Sequence, residues 1–258
     1  MVSLWRRLPA IVRGVISGLV VAGAGTTPWA ILVNANTKHL PTIPWAVVPM
    51  VLYLWLFWLY IRGAGWPNST AGARRTSCRA NPLPEDVWLL SLLAGGLGLA
   101  SLVLFMRVMN RLVRLPTQQA PDVSHIPIAT LSAFVLMSAI VAGVAEESGF
   151  RGYMQGVIER RHGPVVAILV TGGLFGFAHF SHPEVGLILL PYYLAVATVY
   201  GALAYLTNSI YPSTVLHAGG NILGSIDLFA HGQAEWRARR GGGHDGNQRN
   251  MLRRCRRE

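Results

Sequence analysis

Charged residues fall in a few islands along this chain, and long apolar stretches run between them. A membrane-spanning helix needs about 20 mostly apolar residues. Seven stretches qualify or nearly do: Gly14–Val33, Trp45–Ile61, Val87–Met106, Ile126–Ala145, Pro164–Phe180, Val185–Leu206 and Ile210–Ala230. The fifth is short, and the seventh carries His217, Asn221 and Asp227, so both suit inner positions better than lipid-facing ones. The pattern predicts an all-α fold, a polytopic transmembrane helix bundle of about 7–8 helices.

Glycines recur in the later stretches (Gly172, Gly173, Gly176, Gly219, Gly220, Gly224), which permits close helix packing in lipid. Trp45, Trp55, Trp58, Tyr60 and Trp66 cluster about the second stretch, as interfacial anchors do. Composition agrees: 258 residues, 52% hydrophobic and 13% charged, with mean hydropathy +0.40. These values exclude an ordinary soluble domain. Cys78 and Cys255 lie far apart, outside the apolar runs, and suggest neither a disulfide framework nor a metal-ligand spacing.

The net charge of +11 is uneven, with eight arginines against three acids between His231 and Glu258. That tail reads as a basic, disordered segment suited to anionic lipid headgroups, and nothing in the pattern points to nucleic acid. Arg6, Arg7 and Arg13, with Arg74, Arg75 and Arg79 in a loop over Arg62–Asp86, favour a cytoplasmic N-terminus. Seven spans then put the arginine-rich tail outside, against the positive-inside rule. Arg107, Arg111 and Arg114 have helical spacing and fit a helix lying along the surface. Three regions follow: N-terminal helices and basic loops (1–125), a central helix bundle (126–230) and the tail (231–258).

Glu146 and Glu147 close the uncharged run Ile126–Ala145, although residues 1–230 hold only eight acidic side chains. A carboxylate at membrane depth costs roughly 2.5–3.5 kcal/mol on insertion scales unless it faces protein or water. Glu147 and Arg151 stand at i,i+4 and can pair, whereas Glu146 points elsewhere on the helix and has no neutralising neighbour at i±3 or i±4. His217 and Asn221 share a face by the same spacing, and His179 lies one turn after Phe175. A carboxylate, two imidazoles and a carboxamide converging between helices supply what amide hydrolysis requires. The carboxylate activates water, and imidazole and carboxamide donors meet the oxyanion. Glu146, His179 and His217 also match the ligand set of catalytic zinc or another divalent metal, so metal-assisted and metal-free chemistry are both open. Singly, each feature has a plainer reading: a helix salt bridge for Glu147–Arg151, a helix–helix contact for either histidine, interhelical glue for Asn221. Their joint occurrence favours chemistry, with the active site inside the membrane. His162, His182, His231 and Asp227 read as loop or interfacial residues.

Three segments carry a resemblance: Glu146-Glu147-Ser148-Gly149-Phe150-Arg151, Phe175-Gly176-Phe177-Ala178-His179 and His217-Ala218-Gly219-Gly220-Asn221. They resemble the Glu-Glu-x-x-x-Arg, Phe-x-x-x-His and His-x-x-x-Asn motifs of the CPBP family of intramembrane proteases. That family includes the type II CAAX prenyl endopeptidases and the Abi-type bacterial membrane proteins. The resemblance implies that Glu146 activates water, that His179 supports that water or binds metal, and that His217 and Asn221 stabilise the oxyanion. It implies that Glu147 and Arg151 hold the helix in place and that Phe175 lines the pocket. The partners implied are the lipid bilayer and a membrane-associated peptide or protein, lipid-modified in eukaryotic members. The short loops suit a multi-pass protein of a bacterial inner membrane. Two other readings stand beside this one. One is a non-catalytic scaffold or bacteriocin-immunity-type factor. The other is a proton-coupled transporter, which no pair of broken helices supports.

Overall fold

The computed structural model describes residues 5, 7–112, 123, 125–179 and 189–229. The basic tail 231–258, with Cys255 and His231, and also His182 and Arg114, lie outside these residues. Among the described residues the fold is all-helical, with no strand. The helices are α1 (Ala10–His39), α2 (Val47–Ile61), α3 (Ala71–Cys78), α4 (Glu85–Leu112), α5 (Ile128–Glu146), α6 (Gly156–Ala178), α7 (Leu190–Thr207) and α8 (residues 211–229). Each of the seven apolar stretches thus holds a helix.

The backbone from α5 to α6 is helical except at Gly163, and it does not run straight. Gly163, at φ 80° and ψ 167°, breaks α6 just before Pro164. Phe150 and Phe175, placed almost symmetrically about that glycine, meet edge to face at 5.4 Å. On one straight helix they would stand about 37 Å apart. Gly163 is therefore the tip of a helical hairpin, and its left-handed backbone is one that other residues adopt at a cost. The first arm, 128–162, is about 50 Å long, more than a bilayer's hydrocarbon needs.

Contacts at the helix ends fix two faces of the bundle. At one, the Tyr153 hydroxyl donates to the Ile61 carbonyl (2.8 Å), Arg79 pairs with Glu159 (3.1 Å), and Trp88 stacks on Tyr211. At the other, the Thr130 hydroxyl donates to the Thr42 carbonyl (2.9 Å), and Asn36 ties the α1–α2 turn through Ile43 and Ala46. The first face holds Arg7, Arg13, Arg62, Arg74, Arg75, Arg79, Arg160 and Arg161, against Lys38, Arg107 and Arg111 at the second. Among the described residues the helices run between these two faces seven times. Large apolar side chains such as Leu93, Leu97, Val48 and Leu52 remain exposed on the outside, as lipid-facing residues do.

Two sequence expectations change here. The stretch Arg62–Asp86 is not simply a loop, because α3 stands within it and its Arg74 is buried. Arg74 donates to the carbonyls of Tyr60, Ala64, Gly65 and Pro67 and lies over the Tyr60 ring at 4.2 Å. It thereby ties the turn after α2 to α3. Arg107 and Arg111 continue α4 to Leu112 and form no separate surface helix among the described residues.

The N-terminal helices also pack into the central bundle. Gly14, Gly18, Ala22 and Gly25 line one face of α1 and are buried. An added Cβ on Gly18 would stand 2.6 Å from Met154 Cβ and 2.7 Å from the Gly149 carbonyl oxygen. Only small residues permit that approach.

Candidate active site

Between α5 and α6, residues Glu147–Gln155 form a π-helical segment, with the wider i→i+5 hydrogen-bonding turn. The Glu-Glu-x-x-x-Arg sequence sits at its start. Two glycines let neighbouring backbone press against it. Gly149 meets Gly18 and Ala22 of α1, and Gly152 meets the carbonyls of Ser77 and Cys78 in α3.

Glu147 is fully buried, and its Oε1 serves two partners. Arg151 Nη1 lies 3.0 Å away and His217 Nδ1 2.8 Å away. A carboxylate oxygen only accepts, so Nδ1 carries the proton it donates. The Arg151 contact is ionic rather than a directed hydrogen bond, since its buried N–H groups are not aimed at an acceptor. Three aromatic faces hold the guanidinium instead: Phe175 at 4.8 Å, Tyr200 at 5.4 Å and Phe150 at 6.0 Å.

Glu146, half-buried, faces the opposite nitrogen of the same histidine. Its Oε2 lies 3.9 Å from His217 Nε2, beyond hydrogen-bond reach. His217 reaches this position because α8 passes close to α5. A Cβ on Gly143, one turn before Glu147, would stand 2.9 Å from the Thr214 carbonyl oxygen and 3.2 Å from Ala218 Cβ. Tyr200 stacks on the imidazole at 5.2 Å and 15°.

His179 lies against Phe175 (4.5 Å between ring centres) and stacks on Tyr193 (4.5 Å). Its Nδ1 donates to the Phe175 carbonyl at 2.8 Å. Phe175 also meets His217 edge to face at 6.0 Å, so both imidazoles flank one ring. Asn221, one turn beyond His217 on α8, is exposed.

The structure therefore gathers Glu146, Glu147, Arg151, His217, Phe175 and His179, and leaves Asn221 at the rim. It does not gather Glu146, His179 and His217 into a ligand set. Among the described residues no three His, Cys, Asp or Glu side chains are placed to hold a metal. Sequence reasoning missed the Glu147–His217 bond, the aromatic walls of Tyr193 and Tyr200, and the close pass at Gly143. The only trace was spacing: Tyr193 and Tyr200 stand seven apart on one face of α7, and Gly143 lies four before Glu147.

No curated protein and no solved structure matches the chain. Residues 128–223 match the family model described as type II CAAX prenyl endopeptidase Rce1-like. The matched stretch opens with α5, closes in α8 and contains every motif residue from Glu146 to Asn221. Residues 128–223 thus form an Rce1-like domain, similar to the type II CAAX prenyl endopeptidases.

Proposed function

We propose that the protein is an integral-membrane endopeptidase that hydrolyses a peptide bond with water activated by Glu146. One observation carries the reading: a single imidazole is held between two carboxylates with different tasks. Glu147 grips Nδ1 at 2.8 Å, and Glu146 stands 3.9 Å from Nε2 without bonding it. A buried salt bridge alone would not require the second carboxylate.

In this reading Glu146 takes a proton from water as the oxygen attacks the scissile carbonyl carbon. The carbonyl oxygen becomes an oxyanion. His217, as imidazolium, donates to it from Nε2, and Asn221 adds a carboxamide donor. Collapse of the tetrahedral intermediate breaks the C–N bond, and Glu146 returns its proton to the leaving amine. Glu147 and Arg151 position His217 and do not touch substrate. His179, held by the Phe175 carbonyl, supports the attacking water. No step is routed through a metal, because the three candidate ligands are not brought together.

Depth supports a substrate tied to the membrane. Glu146 lies seven residues before Tyr153, hence about 10 Å below the level of the basic face. By its excess of arginine that face is cytoplasmic. A peptide whose end dips shallowly into the bilayer, as a lipid-modified terminus does, would reach the site.

The test compares protein termini by mass spectrometry in cells carrying wild type or Glu146→Gln at equal abundance. New termini that appear only with wild type are expected. Identical termini, with the wild-type cellular phenotype intact in the variant, would instead favour a non-catalytic scaffold.

A further inference from the structure

We infer that the basic face carries a second binding site, distinct from the Glu146 centre, for a net-negative phosphate-bearing group. A cleft of about 840 Å³ opens there between the N-terminal end of α1, α3 and the hairpin tip. Arg13, Arg74, Arg160 and Arg161 line it, with His162, and among the described residues no carboxylate does. Glu159 stands beside it on the same arm but is committed to Arg79 at 3.1 Å.

The cations are not equivalent. Arg74 has its N–H groups bound to backbone carbonyls and contributes charge alone. Arg160 and Arg161 are exposed, and no carboxylate pairs with them among the described residues. Arg13 is partly buried, and its Nε lies buried with no hydrogen-bond partner. A buried guanidinium N–H without an acceptor is costly, and four like charges around one cleft repel one another. An oxyanion with several acceptor oxygens relieves both, and arginine is the side chain that grips phosphate in bidentate fashion. The wall is amphipathic, because Trp5 and Leu8 complete the rim beside the cations. That composition suits a phosphate at the membrane–water boundary, whether on a lipid headgroup or free.

The test measures thermal stabilisation of the full chain in a neutral detergent, at constant ionic strength set with potassium chloride. The probes are inorganic phosphate, dioleoylphosphatidylglycerol and, as the zwitterionic control, dioleoylphosphatidylcholine. Three proteins are compared: wild type, Arg13→Gln/Arg160→Gln/Arg161→Gln, and Arg75→Gln/Arg107→Gln/Arg111→Gln, which removes equal charge from exposed positions outside the cleft. Stabilisation of wild type is expected to survive in the second triple variant. In the cleft variant its half-maximal concentration should rise at least about tenfold. A response to phosphatidylglycerol above phosphatidylcholine, without one to phosphate, identifies a lipid headgroup. A response to inorganic phosphate identifies a soluble anion. Equal responses in both triple variants, or none in wild type, overturn the site. The readout does not depend on peptidase activity, so it stands or falls apart from the proposal for Glu146.

Discussion

Glu147 shares one carboxylate oxygen between Arg151 and His217, and this makes it the pivot of the site. Removing Arg151 leaves that carboxylate buried without its cation, which in proteins costs about 3–5 kcal/mol. Arg151→Ala should therefore lower the melting temperature of the purified protein, and an unchanged melting profile would contradict the pairing. Glu147→Gln keeps an oxygen for the His217 Nδ1 proton but leaves the buried Arg151 guanidinium without its counter-charge, so it should lower the melting temperature as well. It should reduce kcat more than it raises KM, since it disturbs the orientation of His217 and not the substrate's binding surface; a pure KM effect would refute the positioning role. The Glu–Arg pair was legible from i,i+4 spacing. The bond to His217 was not, because 70 residues separate its ends and nothing local marks which of two adjacent glutamates turns towards α8. Cys78 poses a separate question of chemistry. Burial pushes its thiol from 9.0 up to about 12, although Arg62 and a hydrogen bond from the Ala80 backbone oppose the shift. The folded state thus favours the neutral thiol. That contribution is intact below about pH 9 and is lost as pH rises towards 12. Maleimide should leave Cys78 unmodified at pH 7.5 in the folded protein and label it once the chain is denatured.

The elements themselves were legible because apolar length is a strong signal in a membrane protein, and all seven stretches hold helices. What joins them was less visible. The π-helical segment leaves no periodic trace in Glu147–Gln155, since its wider turn is imposed by packing against α1 and α3. Likewise α3 is short and polar, with no apolar run to announce it. The α1 face of Gly14, Gly18, Ala22 and Gly25 gives a sharp test of that packing. Gly18→Val should destabilise the fold by about 1–3 kcal/mol through overpacking against Met154 and Gly149. Gly23, where an added Cβ meets nothing within 4 Å, serves as control. Gly23→Ala should be neutral or stabilising by at most about 1 kcal/mol, because alanine favours helix. Equal melting shifts for the two variants would mean that α1 does not pack on the π-helical segment in this way.

At the scale of the whole molecule the open question was sidedness, because the sequence predicts an odd number of spans between two arginine-rich regions. For the described residues the helical path sorts the charges by face. Eight of the twelve described lysines and arginines gather at the face that holds Arg75 and Arg161, three lie at the opposite face, and Arg151 is inside. Charge in the short connections, rather than in the tail, therefore agrees with one orientation, and long or terminal segments weigh less in that rule. The same path places Thr42, whose carbonyl accepts from Thr130 at the start of α5, and Arg111, in the last turn of α4, at the second face. Single cysteines at Arg75, Arg161, Thr42 and Arg111, in a Cys255→Ser background with the unreactive Cys78 retained, make this measurable. In sealed vesicles a membrane-impermeant maleimide should label Arg75→Cys and Arg161→Cys from one side, and Thr42→Cys and Arg111→Cys only from the other. The pair Arg161 and Thr42 is decisive, because the arm 128–162 connects their levels and carries Glu146 between them. If both label from the same side, that arm does not cross the bilayer. Glu146 would then lie outside the membrane, and a shallow, cytoplasm-facing protease site would have no structural basis.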